Sequence, residues 1–133
     1  MRYILIILCT GLLFLNFKDT EPNDQIIGTW ELVSVYEDSI DVTFNHDPFD
    51  ERYIRFLESG QFESDGRPFE FNKGDWILNE DASILEIYSS VENDDSAWYL
   101  RIQGDKMEWK GIGNEWKEQF LLCFKRQTEK DFD

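Results

Sequence analysis

Bulky apolar side chains recur at every second position through most of this chain, and that period decides which residues can share a face. Residues two apart stand together on a strand, whereas a helix gathers residues three or four apart. Trp98, Leu100 and Ile102 alternate with Tyr99, Arg101 and Gln103; beyond Gly104-Asp105, Met107 and Trp109 alternate with Lys106, Glu108 and Lys110. Such a pair of runs around a short Gly-containing turn is a hairpin. Similar runs open at Ile26 and include Ile54-Arg55-Phe56, Trp76-Ile77-Leu78 and Leu85-Glu86-Ile87, with turn signals at Gly60 and at Asp65-Gly66-Arg67-Pro68. No long, capped amphipathic helix appears. The reading is about eight strands at the spacing of an antiparallel barrel or sandwich.

The face to be hidden gathers Trp30, Leu32, Ile54, Phe56, Phe62, Phe69, Phe71, Trp76, Leu78, Leu85, Ile87, Trp98, Leu100, Ile102, Met107, Trp109, Phe120, Leu122 and Phe124. One sheet rolled shut buries them and removes both edges. Two stacked sheets would bury the same residues, and the pattern alone does not separate the two. Short sequential turns favour neighbour-to-neighbour order. The expectation is therefore all-β: an antiparallel up-and-down eight-stranded barrel over residues 21–126, ending in a flexible tail, 127–133. With 133 residues and 16% aromatics, the chain holds one domain and can bury a real core.

Residues 1–20 read differently. Met1-Arg2 precedes Tyr3 to Phe17, which carry no charge, and Lys18-Asp19 end the run. A basic start and a short apolar stretch describe a signal peptide, with an uncleaved anchor through residues 3–17 as the alternative. The expected location is extracytoplasmic, periplasmic or secreted. Lipid attachment at Cys9 is disfavoured, because Ile6-Ile7-Leu8 offers no small residue before it. Without the leader, Cys123 has no disulfide partner in the chain, and its run Phe120-Leu121-Leu122-Cys123-Phe124 makes it a small hydrophobe.

A formal charge of −15 excludes nucleic acid as a default partner, since phosphate binding needs basic residues, and disfavours an anionic membrane surface. It also favours a soluble monomer.

The opening run Ile26-Ile27-Gly28-Thr29-Trp30-Glu31-Leu32-Val33-Ser34 resembles the Gly-x-Trp first strand of the calycin group, which comprises lipocalins, fatty-acid-binding proteins and small bacterial lipocalin-like domains. The segment Trp98 to Trp109 resembles the late hairpin of the bacterial lipocalin-like domains. The resemblance implies that Gly28 and Trp30 close one end of the barrel, with Arg126 (or Lys125) lying over the indole. It departs from fatty-acid-binding proteins, because Ser39 to Arg52 is too short and acidic for their two helices. No Arg-x-Tyr pair near the C-terminus supplies their carboxylate grip, and the further motif and disulfides of larger lipocalins are missing. The closest likeness is thus to the small bacterial domains.

That resemblance implies a small hydrophobic ligand in the barrel mouth, lined by Tyr36, Phe56, Phe71, Trp98 and Phe120, with Ser34, Ser83, Ser89 and Gln119 as polar candidates. The alternative is a barrel packed solid by its aromatics and working through its outer wall, where Val33 with Val35 and Ile84 with Tyr88 would form an apolar strip. Nothing argues for an enzyme or a cofactor. His46 lies near Asp47, Asp50 and Glu51, but no second His or nearby Cys supports zinc. That loop, like Glu92-Asn93-Asp94-Asp95, lacks the spacing of a calcium loop. No metal site is expected, and the loop reads as solvated with Asp47-Pro48 as its turn.

Overall fold

Alternation in the sequence becomes alternation in space most plainly on β8 (Lys106–Gly111), where Met107, Trp109 and Gly111 are buried and Lys106, Glu108 and Lys110 are exposed. A computed structural model describes residues 22–128 apart from residue 93. The elements preceding β8 are α1 (Pro22–Ile26), β1 (Gly28–Glu37), β2 (Ile40–Asp41), α2 (Thr43–His46), β3 (Tyr53–Phe56), β4 (Gln61–Gly66), β5 (Phe69–Leu78), β6 (Ile84–Ser89) and β7 (Ser96–Gln103); α3 (Glu115–Glu118) and β9 (Phe120–Arg126) follow it. Every strand pairs antiparallel with its neighbour, and β9 returns to β1. Eight strands, β1 and β3 to β9, thus form a closed barrel, with β2 a two-residue extension folded against the end of β1. Closure leaves no row of unpaired backbone groups along an edge.

The interior is aromatic. Phe56 meets Trp76 edge-on at 5.6 Å between centroids, and Trp109 lies 4.6 Å from Phe124 and 5.4 Å from Trp98. Trp30, Leu32, Ile54, Phe62, Leu85, Ile87 and Met107 complete this core, with Leu100, Ile102, Phe120 and Leu122 half-buried against it.

The structure corrects the sequence reading at several places. Ile26-Ile27 do not begin the first strand: Ile26 ends α1 and is fully buried. On β1, the register against β9 slips between Leu32 and Ser34. This bulge inserts one residue and reverses the faces beyond it. Val35, expected outside, is therefore 1% exposed, while Tyr36, expected inside, pairs with outward Leu121. The outer strip imagined from Val33 and Val35 does not form. Ile84 and Tyr88 do lie on the outer face, Ile84 across from exposed Tyr99 and Tyr88 across from Asp75, with Glu86 between them. On β5, Asn72, Gly74 and Trp76 share the inner parity; Phe71 is on the outer face and 52% exposed. Phe69, also expected inside, is exposed on one side because a register shift between Ser64 and Gly66 turns the chain at the rim.

Gln127 is not loose. Its amide donates to the Thr29 carbonyl at 2.8 Å and its side chain to Glu31 at 2.7 Å. The expected leader, 1–20, and the rest of the expected tail, 129–133, lie outside the described residues. Cys123 is half-buried and a free thiol.

Candidate functional site

One end of the barrel is shut by a short-range motif. Trp30 is completely buried, and its Nε1 donates to the Ile26 carbonyl at 2.9 Å. The Arg126 guanidinium lies over the indole, 4.2 Å from the ring centroid. From there Nη1 donates to the Ile27 carbonyl at 3.0 Å and Nη2 to the Gln25 carbonyl at 2.6 Å. One side chain thereby ties α1, the indole and β9 together. Gly28 fits this crowding: its φ is +125°, and a Cβ there would approach Arg126 Nη1 to 3.4 Å. A cation held on an indole face contributes about 0.5–2 kcal/mol.

The other end is open, with β1 ending there and β3, β5 and β7 beginning there. The segment from residue 38 to 52, which carries α2, folds over part of the opening. Its anchorage is polar. The Val35 amide donates to Thr43 Oγ1 at 3.0 Å, and the Thr43 amide donates to Asp41 Oδ1 at 2.9 Å. The Thr43 hydroxyl bond holds the Asp41 carboxyl below its ordinary pKa, as the Arg67 hydrogen bond does for Glu51. Asp47, expected to be solvated, is 5% exposed, because its carboxylate accepts the backbone N–H of Glu51 at 2.9 Å and of Arg52 at 3.3 Å. A side-chain oxygen serving the following amides is what fixes such a turn. His46 is likewise placed at the mouth, its ring edge-on to Phe120 at 5.8 Å.

Inside the opening lies a cavity of about 170 Å³, whose inner wall is Leu32, Ile54, Phe62, Trp109 and Phe124. It adjoins an outer chamber of about 310 Å³ walled by Val35, His46, Trp116 and Phe120. Arg52, Phe69, Asp94, Ser96, Trp98 and Leu122 line both. The inner chamber sets this hydrocarbon and aromatic floor against polar sides, Ser64, Asp65, Glu70 and Asn72 among them, and the outer chamber is the more apolar of the two. Trp109 Nε1 is buried among these residues with no hydrogen-bond partner among the described ones.

Of the expected ligand-lining residues, Trp98 lines both chambers and Phe120 the outer one. Tyr36 lines a separate groove of about 380 Å³ with Asp38, Lys110 and Leu121. Phe56 is packed in the core against Trp76, below the cavity, and Phe71 faces outward. None of Ser34, Ser83, Ser89 or Gln119 lines either chamber. Ser83, for example, is bound to Asn79 and Asp81 in the β5–β6 turn.

Of the polar groups that line the cavity, His46 and Asp94 lie in the two acidic runs weighed for metal, while Arg52, Ser96 and Asn72 were not singled out from the sequence. Arg52 is the most consequential. It precedes β3 and continues the inward series Ile54 and Phe56, so the two-residue period was its signal. Its guanidinium stacks 4.2 Å from the Phe69 ring centroid, and Nη1 donates to the His46 carbonyl at 3.2 Å. Burial pushes its pKa down from the ordinary arginine value, with the nearby Asp47 charge partly opposing.

Residues 26–109 match the family model described as a lipocalin-like domain, well over half of the chain. A DUF4847 family protein from Bacteroides vulgatus, known from a crystal structure, is similar in fold with a TM-score of 0.56. The match covers 77% of this chain and 96% of that one at 12% sequence identity. A likeness at that identity speaks to fold alone. No curated protein matches the chain.

Proposed function

The chain belongs to the lipocalin-like domain family, and on that premise we propose that it binds a small, largely apolar molecule in the open mouth of its barrel. The observation that carries this reading is the cavity behind Trp98 and Leu122, with its aliphatic and aromatic floor, whose outer chamber alone reaches about 310 Å³. Ligand sites of small molecules begin near that size, apolar in the main with a few polar groups that set orientation. The alternative, an interaction module using an apolar outer strip, is weakened on β1, where Val35 turns inward, and keeps Ile84 and Tyr88 on the outer wall, interrupted by Glu86.

The test is a fluorescence titration with the neutral probe N-phenyl-1-naphthylamine. Saturable one-to-one binding in the micromolar range is expected, quenching or shifting the emission of Trp98 and Trp109. Leu122→Trp, which fills the passage between the chambers, should abolish it while the thermal melt stays cooperative. No saturable binding by the wild-type chain would overturn the carrier reading. The basic start and apolar run of residues 1–20 support placing this binding outside the cytoplasm. Recovery of the chain from the cytoplasmic fraction alone would overturn that part.

A further inference from the structure

Four of the five tryptophans have a use for the indole N–H, and the fifth does not. Trp30 donates to the Ile26 carbonyl at 2.9 Å, Trp76 to the Leu57 carbonyl at 3.3 Å and Trp98 to Ser96 Oγ at 2.9 Å. Trp116 is 63% exposed, so water serves it. Trp109 is 5% exposed, and its Nε1 meets no acceptor among the described residues. Its neighbours explain why. The rings of Phe124, Trp98 and Phe56 lie 4.6, 5.4 and 6.2 Å from it between centroids. Leu100 and Leu122 stand across from it on β7 and β9. None of these five side chains carries an oxygen.

A donor sealed among hydrocarbon without a partner is costly, whereas a phenyl ring in the same place would have no N–H to satisfy. The indole also borders the inner chamber. We propose that the ligand carries an acceptor oxygen with no proton of its own, the carbonyl of a ketone or ester, on the part that enters the inner chamber, and that Trp109 Nε1–H donates to it. This rests on the carrier reading and adds the class of ligand. Trp98, half-buried and lining both chambers, is the neighbour that shifts to admit the oxygen.

The donor sets the choice among polar groups. A carbonyl oxygen accepts and needs nothing in return. A hydroxyl brings a second donor to the floor formed by Leu32, Phe62, Leu122 and Phe124, where no side chain accepts it. An ionised group would lose its water there in exchange for a single hydrogen bond. A plain hydrocarbon leaves the N–H as it stands.

The experiment uses three ligands of one skeleton: acetophenone, 1-phenylethanol and α-methylstyrene, in which the oxygen of the ketone becomes a hydroxyl or a methylene. Each is added to the full chain labelled with 15N-tryptophan, and the Trp109 indole signal is assigned through its contacts with the Phe124 ring protons. Acetophenone should move the Trp109 Nε1–H resonance downfield, as a new hydrogen bond does, and α-methylstyrene should bind without that shift. By displacement of the neutral naphthylamine probe, acetophenone should bind about fivefold more tightly than 1-phenylethanol. In Trp109→Phe, which keeps a ring and removes the N–H, the ratio of ketone to alkene affinity should fall about tenfold. Displacement of the probe by acetophenone with no downfield shift at Trp109 overturns the inference and leaves the carrier reading intact, as does failure of acetophenone to displace a probe that binds. Tighter binding of 1-phenylethanol overturns the requirement for an oxygen without a proton. Failure of the probe itself to bind is failure of the carrier reading. The wild-type resonance decides the matter even if Trp109→Phe does not fold.

Discussion

Trp30 is where one side chain has the most to lose. Its ring is wholly buried, hydrogen-bonded to Ile26 and covered by Arg126, so truncation removes packing, a hydrogen bond and a cation–π contact together. Trp30→Ala is expected to destabilise the barrel by about 3–5 kcal/mol, read from urea denaturation. A loss below about 1 kcal/mol would mean that the ring does not close the floor. Gly28, Trp30 and the trailing Arg126 were legible in the sequence because the motif is short and sits at the ends of two strands. Arg52 was not, because one arginine in an acidic loop carries no short-range signature. Its meaning comes from parity with Ile54 and Phe56. Gly66 also belongs to that site: its φ is +120°, and a Cβ there would collide with the Arg52 backbone.

At the scale of elements, two-residue alternation located the strands and failed wherever a strand was irregular. A bulge costs one residue and leaves no trace in a run such as Val33-Ser34-Val35-Tyr36, where either register buries something apolar. Short helices were equally hidden. α2 and α3 have four residues each, too few for a 3.6-residue period to show. What orders α2 is side-chain chemistry, through Asp41 and Thr43, and that makes the segment acid-sensitive. Asp41 and Glu51 have folded-state pKa values below their ordinary ones. Their contribution is therefore complete above the ordinary carboxylate range and is lost as pH falls through the lowered folded values. The expected result, below about pH 4, is that the Thr43 and Val35 amides lose hydrogen-exchange protection while Met107, in the core, keeps its own. Simultaneous loss at all three would show that the segment does not open by itself.

The whole molecule is a closed ladder under self-repulsion. Pairing of β1 with β9 lets the barrel tolerate −15 charges without an exposed edge, but the like charges still oppose compaction. Screening should relieve this. Raising sodium chloride from about 10 mM to about 0.5 M shortens the reach of each charge from roughly 30 Å to a few ångströms. The thermal midpoint should rise by about 4 °C, the equivalent of roughly 1 kcal/mol for a domain of this size. A midpoint that falls with salt would mean that the ion pairs outweigh the repulsion. Fold class and net charge were readable from sequence because both are sums over many residues. The cavity was not, since an aromatic-rich interior is compatible with a solid or a hollow barrel, and only the positions of Trp98, Trp109 and Leu122 distinguish them.

Gln127 bound to Thr29 has a practical consequence. The described polypeptide enters and departs side by side on the sealed underside, pointing away from the aperture at Trp98. A tag, a surface linkage or a second protein placed beside Gln127 would sit at the sealed end and leave the aperture clear. New ends could equally be cut elsewhere and the old ones spliced by a short bridge, with the container kept whole.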